Sequence, residues 1–186
     1  MTPPADAPQR SRIDLVSGHA RWLLVLTTFV LGALVVALDQ FTKGLAEVML
    51  TPGDRAPLIG DLFGLQLTYN PGGAFSLGAG ATWIFTIVSV IAAIAAVALA
   101  IRVRRIRWAV LIGVVGGAAT SHAVDRLFRS PGFGRGYVVD FLAYGNWFIG
   151  NIADICIVVG LATAALFALT STRNGGKSPR EAGGSA

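Results

Sequence analysis

Four long apolar runs constrain this chain more than any other feature of its sequence. They cover residues 22–38, 81–101, 108–128 and 147–170, and an α-helix needs about 20 apolar residues to cross the hydrocarbon of a bilayer. Because 54% of the 186 residues are hydrophobic and only 13% are charged, a single water-soluble core would not cover the apolar surface. The sequence therefore predicts an all-α membrane protein with four transmembrane helices.

The third run differs from the others because its last turns carry polar residues, namely Ser121, His122, Asp125 and Arg126. Polar side chains within a span face the interior of a bundle or a hydrated site. This helix therefore either ends early or faces a polar site. Its small residues Gly113, Gly116 and Gly117 are predicted to let neighbouring helices approach closely.

Basic residues predict the orientation of the chain. They precede the first run, join the second to the third and follow the fourth: Arg10, Arg12 and Arg21; Arg102, Arg104, Arg105 and Arg107; Arg173, Lys177 and Arg180. Since such segments stay in the cytoplasm, both termini are predicted to be cytoplasmic, with residues 40–80 and 129–146 outside. We expect one membrane-embedded domain, 1–186, in which residues 1–20 and 173–186 are disordered tails.

The first outer connection contains two patterns. Apolar residues at helical spacing predict a short interfacial helix before Thr51-Pro52-Gly53-Asp54 ends it, and these residues are Phe41, Leu45, Val48 and Met49. Residues 65–70 then alternate between apolar and polar, which is the period of a half-buried strand. We therefore predict a small extracytoplasmic β-sheet beside the interfacial helix.

Four aspartates converge on one membrane face under this topology. Asp39 ends the first run, Asp125 ends the third, and Asp140 closes the second outer connection. Asp154 lies about two turns into the fourth run. An ionised carboxylate costs roughly 2.5–3.5 kcal/mol at the centre of a span and less near the interface. Such residues in a span indicate a functional site by default.

The aspartates also have structural interpretations. Asp39 could cap a helix or position a loop. Asp125 precedes Arg126 and could belong to an ion-pair network that ties helices together. Asp154 is harder to explain in this way, because its span is otherwise apolar and Asn151 lies one turn earlier on the same helical face.

Two carboxyl groups in a poorly hydrated site share a proton, which makes one group an acid and the other a base. Such a pair activates water for attack on a peptide carbonyl without a metal or cofactor. The chain has only two histidines, His19 and His122, and one cysteine, which disfavours metal and serine-nucleophile chemistry. The net charge of +5 follows from membrane orientation, and no aromatic-basic platform predicts binding to nucleic acid.

Five segments resemble one known family, the lipoprotein signal peptidases, also called signal peptidase II. In chain order they are Leu38-Asp39-Gln40 with Thr42-Lys43; Asn70-Pro71-Gly72-Gly73-Ala74-Phe75; Gly116-Gly117-Ala118 with Asp125-Arg126; Val138-Val139-Asp140-Phe141; and Asn151-Ile152-Ala153-Asp154. Each segment alone is weakly specific, but the five together in this order are highly specific.

The resemblance implies a membrane-embedded aspartic endopeptidase of the bacterial cytoplasmic (inner) membrane, with no cofactor. It implies cleavage of lipid-modified prolipoproteins just before the diacylglyceryl-cysteine, at the extracytoplasmic face. Asp140 and Asp154 would then be the catalytic dyad, and the interfacial helix would act as a lid. The family uses the remaining matching positions to hold the substrate backbone or to support the dyad, namely Asn70, Gly72, Arg126, Asn151, Asp39 and Asp125.

Three residues depart from the family pattern. His122 stands where asparagine is usual, Tyr137 where histidine is common, and Gly150 where an aromatic residue usually precedes Asn151. Imidazole could replace the amide as a hydrogen-bond donor, but it also titrates near neutral pH. We therefore expect His122 to take part in the site and to alter its response to pH.

Two other functions remain open. The chain could be a small transporter or channel in which Asp125 and Asp154 bind protons or cations. It could also share the peptidase fold and bind lipoproteins without cutting them. For the peptidase chemistry, a monomer in contact with membrane lipid suffices.

Overall fold

The computed structural model describes residues 10–73 and 77–175, so Ala74 and Phe75 of the recognised motif lie outside the described residues. Within those ranges, four helices are long and apolar enough to cross a membrane. They are α1 (Arg10–Met49), α2 (Thr82–Ala100), α3 (Ile106–Phe128) and α4 (Ile152–Gly175). The predicted spans are confirmed as helices, except that α4 begins at Ile152 because residues 148–150 form a strand.

Helix α3 lies at the centre of the bundle, against the other three helices. In its most apolar window 44% of the residues are buried, compared with 11% in each of the other spans. The polar residues of the third span therefore face protein rather than lipid. A Cβ on Gly113 would lie 2.7 Å from the carbonyl oxygen of Thr28, and one on Gly117 would lie 2.6 Å from that of Gly32. The predicted close approach of helices is confirmed at these two glycines.

The prediction of a separate interfacial helix is wrong. Helix α1 continues without interruption from Arg10 to Met49, and the predicted helix forms its last turns. No proline interrupts α1. Gly44, the one glycine in residues 41–49, weakens a helix by only about 1 kcal/mol and does not end it. The predicted lid therefore has no independent helix at these residues.

Helix α1 also includes residues 10–20 of the predicted N-terminal tail, and α4 extends to Gly175. Residues 1–9 and 176–186 of the predicted tails lie outside the described residues.

A small antiparallel sheet joins the helices, as predicted. Its strands in the described part of the chain are β1 (Arg55–Ile59), β2 (Phe63–Asn70), β3 (Val138–Tyr144) and β4 (Phe148–Gly150), in that spatial order. Strand β2 confirms the strand predicted at residues 65–70, but not its half-buried alternation, because Tyr69 on the apolar face is 43% exposed. Strand β4 was not predicted, because its apolar residues run directly into the apolar sequence of α4.

The register between β2 and β3 shifts beside Asp140. The shift lies between the pairs Leu65–Leu142 and Thr68–Asp140, where β2 contains one residue more than β3. Bulges of this kind re-aim side chains and occur often beside functional sites. The neighbours of Asp140 belong to a hydrophobic core made of Ala46, Leu67, Val139, Phe141 and Leu142. The Asp140 carboxyl group instead contacts the amide groups of Asn70 and Asn151.

Candidate active site

Strand β3 carries Asp140, which is 3% exposed. Its Oδ1 accepts a hydrogen bond of 2.6 Å from Nδ2 of Asn151. Its Oδ2 accepts one of 3.1 Å from Nδ2 of Asn70, the last residue of β2. Three segments that are distant in sequence therefore meet at one carboxyl group.

Asn151 and Asp154 cap the start of α4 reciprocally. The N–H of Asp154 donates to Oδ1 of Asn151 at 3.0 Å, and the N–H of Asn151 donates to Oδ2 of Asp154 at 3.0 Å. This is the geometry of a capping box. The Asn151 side chain thus contacts Asp140 through its NH₂ group and holds the backbone of Asp154 through its carbonyl oxygen.

The capping box corrects the predicted position of Asp154 within its helix. The residue lies in the first turn of α4 rather than two turns into a span. The reason is that β4 takes up the residues at which the sequence places the beginning of the helix. Asp154 is therefore close to the sheet that carries Asp140.

The two carboxyl groups have different environments. The Asp154 side chain is 28% exposed, and its Oδ1 lies 3.2 Å from Nε2 of His122. Burial, together with the charge of Asp154, raises the pKa of Asp140 to about 7; hydrogen bonds from Asn70 and Asn151 and the charge of His122 partly oppose this increase. Asp140 therefore holds a proton at a pH where an ordinary aspartate is ionised.

A buried cation on α1, Lys43, lies between two further aspartates. Lys43 is fully buried, and its Nζ lies 2.5 Å from Oδ2 of Asp39 and 2.7 Å from Oδ2 of Asp125. The hydroxyl of Ser121 also donates to Oδ2 of Asp39, at 2.6 Å. An ammonium between two carboxylates thus joins α1 to α3.

Asp39 extends the same network to α4. Its Oδ1 accepts a hydrogen bond of 2.9 Å from the N–H of Ala153. The first N–H groups of a helix lack intrahelical partners, and negative charge is favourable at that end. Asp39 therefore caps the helix that carries Asp154, which agrees with its structural interpretation.

Asp125 belongs to an ion-pair network, although not with its neighbour Arg126. Its Oδ1 accepts hydrogen bonds from Nε2 of Gln40 at 2.8 Å and from Nε of Arg129 at 2.7 Å. Arg129 also pairs with Glu47 at 2.6 Å. The structure thus places Asp125 behind the dyad, where it ties α3 to α1.

Arg126 holds the loop that follows β2. It is 4% exposed and donates to the carbonyl oxygens of Asn70 at 3.1 Å, of Gly136 at 3.2 Å, and of Gly72. The N–H of Gly72 in turn donates to Oδ1 of Asn70 at 2.9 Å. Asn70 is thereby fixed with its Nδ2 directed at Asp140.

Sequence reasoning assigned no role to Lys43, Ser121 or Arg129. A signal was present for the two basic residues, since Lys43 follows Asp39 and Arg129 follows Asp125 by four positions. Such spacing places opposite charges on one helical face. Ser121 had no comparable signal.

A cavity of about 270 Å³ opens onto the two carboxyl groups. Its polar lining consists of Asn70, Ser89, His122, Arg126, Asp140 and Asp154. Its apolar lining comes from α2 and from the other elements around the cavity: Phe85, Val88 and Ala92 on α2, and Ala119, Val138, Phe148 and Ile157 elsewhere. The size is near the lower end of ligand pockets, which suits a short stretch of extended chain.

Gly150 is required by the same geometry. A Cβ at this position would lie 2.9 Å from Oδ2 of Asp154 and 2.6 Å from Cε1 of Phe148. Phe148 lines the cavity, so an aromatic ring is present near the position where the family pattern has one. For Tyr137, the structure gives a backbone hydrogen bond to Ser130 at 2.9 Å.

Known proteins identify the family of this chain. A family model described as signal peptidase (SPase) II matches residues 31–170. The chain belongs to the signal peptidase II family. The match includes every predicted site residue, from Asp39 to Asp154. The resemblance inferred from the five segments is confirmed, and with it the class of a membrane protease.

Relatives in the signal peptidase II family match over most of their length. The lipoprotein signal peptidase of Rhodococcus jostii (strain RHA1) is 41% identical over 155 residues, which are 83% of this chain and 77% of that protein. The one from Leifsonia xyli subsp. xyli (strain CTCB07) is 36% identical over 188 residues, which are 98% of this chain and 87% of that protein. A solved bacterial membrane enzyme is 27% identical with a TM-score of 0.71, covering 84% of this chain and 94% of that structure.

Proposed function

We propose that this chain is an aspartic endopeptidase that removes the signal peptide from diacylglyceryl-modified prolipoproteins. It cleaves just before the lipidated cysteine. The observation that carries the proposal is the linkage of Asp140 and Asp154 through Asn151, with both carboxyl groups lining one cavity. Membership in the signal peptidase II family supplies the substrate class.

The chemistry follows from the different environments of the two carboxyl groups. Asp140 holds the shared proton, since its pKa is about 7. Asp154 acts as the base, because its Oδ2 accepts the backbone N–H of Asn151 and its Oδ1 lies 3.2 Å from Nε2 of His122. One acid and one base, set apart by environment, are what general acid–base catalysis by two carboxyl groups requires.

The reaction then proceeds by addition of water and loss of an amine. Asp154 accepts a proton from water as the water oxygen bonds to the scissile carbonyl carbon, and Asp140 donates its proton to the carbonyl oxygen. The C–N bond then breaks, the amine leaves with the proton held by Asp154, and Asp140 recovers its proton from the hydroxyl group. The products are the signal peptide with a free carboxyl end and the lipoprotein with a free amino group.

The remaining site residues orient the dyad and the substrate. Asn70 and Asn151 hold the Asp140 carboxyl group from both sides. Arg126 fixes the loop at Gly72, whose peptide groups lie at the edge of the cavity. Asp39, Asp125 and Lys43 keep the helices in register, as the family's supporting positions would.

The proposed location is the bacterial cytoplasmic membrane, with both termini in the cytoplasm and the site at the extracytoplasmic face. The basic α2–α3 connection supports this orientation. Exposed apolar side chains support contact of the helices with lipid, for example Leu34 at 59%, Ile91 at 60% and Leu166 at 58%. Every residue assigned to the site comes from one chain, so a monomer is sufficient.

The transporter hypothesis has less support. Asp140 lies on a strand of the sheet and Asp154 in the first turn of α4, rather than in the middle of spans. Asp125 is occupied by Lys43 and Arg129, so it is not available to bind a transported cation. The binding-only hypothesis is decided by the experiment that follows.

The test incubates purified full-length protein with a diacylglyceryl-modified precursor peptide and analyses the products by mass spectrometry. We expect cleavage immediately before the lipidated cysteine, and a loss of at least about 1,000-fold for Asp140→Asn and Asp154→Asn. Asp61→Asn is the matched control, because Asp61 is exposed in the turn after β1. Cleavage by either dyad variant at the wild-type rate would refute the dyad, and tight binding of intact precursor by the wild type would favour the binding-only hypothesis.

A further inference from the structure

His122 contacts the more exposed of the two carboxyl groups. Its side chain is 16% exposed and projects from α3, so that Nε2 lies 3.2 Å from Oδ1 of Asp154. The other oxygen of Asp154 accepts the N–H of Asn151. Asp154 thus accepts a backbone N–H at one oxygen and has a titratable ring 3.2 Å from the other.

We propose that His122 is a positioning residue that keeps Asp154 as the ionised base of the dyad and sets the lower pH limit of cleavage. This inference rests on the proposed function, in which Asp154 takes the proton from water. It assigns to a single side chain of α3 both the orientation of the base and its response to acid.

The chemistry of the contact carries the proposal. Nε2 within hydrogen-bond distance of a carboxylate oxygen favours the tautomer that bears hydrogen on Nε2, and that hydrogen favours an ionised acceptor. When the ring gains its second proton, it becomes a cation beside an anion, which further opposes protonation of the carboxylate. An opposite charge at this distance typically shifts the protonation of a carboxyl group by about 1–3 pH units.

In the described part of the chain both carboxyl groups of the dyad feel the charge of His122: Asp154 at 3.2 Å and, more weakly, Asp140. From β3, Asp140 and Tyr144 face the Asp154 carboxylate. On α3 itself, Arg126 lies one turn further on and donates to backbone carbonyls. Helix α2 contributes non-titratable Phe85, Val88 and Ser89 to the cavity.

On α1, Asp39 accepts a hydrogen bond from the Ser121 hydroxyl, and Lys43 forms an ion pair with Asp125. These groups satisfy one another behind the dyad, so they do not provide a second anion for the imidazole. The pair of His122 and Asp154 is therefore the contact through which acid acts on the base.

The experiment compares pH profiles of kcat/KM for wild type and His122→Asn, which retains an N–H donor but does not titrate. We expect the acid limb of the kcat/KM profile to lie about one pH unit higher in the variant. At a pH on that limb, the variant then has about tenfold lower activity than wild type. The alkaline limb should move less. A purely structural role would instead lower the rate evenly at all pH values, and unchanged limbs would overturn the proposal.

Two further measurements keep the test decisive. His122→Gln repeats the comparison if the asparagine variant does not fold, as judged by its helical circular dichroism. His19→Asn is the matched control, because His19 lies on α1 about 30 Å before Asp39 by helical rise, and it should leave both limbs unchanged.

A readout without substrate separates the two proposals. We expect the ¹³C chemical shift of the Asp154 carboxyl group, measured at one fixed pH without substrate, to differ between wild type and His122→Asn, because the variant removes the ring that lies 3.2 Å from Oδ1. A wild type that never cleaves refutes the proposed function, whereas this shift still tests the contact. A wild type that cleaves, combined with no shift, refutes the role of His122 alone.

Discussion

Replacing Lys43 with methionine tests whether the buried ions hold the site together. Methionine keeps the length and flexibility of the side chain but removes its charge. In wild type, Lys43 lies between Asp39 and Asp125, and all three side chains are fully buried. The variant leaves two buried carboxylates without the cation that they share.

Removal of one partner from a buried ion pair costs about 3–5 kcal/mol, because the remaining charge has lost its compensation. Asp125 keeps the guanidinium of Arg129 at 2.7 Å, and Asp39 keeps the Ser121 hydroxyl at 2.6 Å. We therefore expect Lys43→Met to lower the free energy of unfolding by about 3 kcal/mol, at the lower end of that range.

The assay is reversible unfolding in mixed micelles with increasing sodium dodecyl sulfate, followed by helical circular dichroism. Arg104→Met is the matched control, since Arg104 is exposed in the α2–α3 connection; it should change the free energy of unfolding by less than about 0.5 kcal/mol. In a double-mutant cycle, Asp125→Asn should be at least about 1 kcal/mol less harmful when Lys43→Met is already present. A Lys43→Met protein as stable as the Arg104→Met control would refute the reasoning.

Three other predictions concern the reaction. Cleavage should fall about tenfold per pH unit above about 7, where Asp140 loses the proton that its raised pKa retains below that value; a kcat/KM profile that rises to pH 9 would contradict this. Gly150→Ala should lower kcat about tenfold or more, because the added Cβ displaces the second carboxylate, whereas Gly44→Ala, with nothing within 4 Å, should not. Arg126→Lys should raise KM and speed hydrogen exchange in the loop after β2, since one ammonium cannot replace a guanidinium that reaches three carbonyls.

The sequence predicted the spans well because hydropathy is a local property of each helix. The prediction was wrong at two helix boundaries, the start of α4 and the end of α1. Residues 148–150 are as apolar as the helix that follows them, so nothing local separates β4 from α4. Residues 41–49 have the spacing of an interfacial helix, but they continue α1. Lys43 and Glu47 in this part pair with Asp125 of α3 and with Arg129 just after it, and such tertiary contacts cannot be read from the local pattern.

The sequence predicted which residues form the site but not which hydrogen bonds they make. The motifs predicted that Asp140, Asp154 and Asn151 belong together, and the structure brings them into contact. The direction of each hydrogen bond depends on the bulge in β2 and on the start of α4, which are set by tertiary pairing. The contact of His122 with Asp154 likewise depends on how α3 and α4 pack.

The contact between Asp39 and Ala153 has a consequence for biogenesis. It joins the first span to the last, so a nascent chain lacks the complete site until α4 has entered the membrane. Meanwhile Asp39 and Lys43, four residues apart on α1, neutralise each other before the partner on α3 has been synthesised. The newborn protein therefore inserts the charged end of α1 as a neutral pair and completes the site only at the final step of assembly.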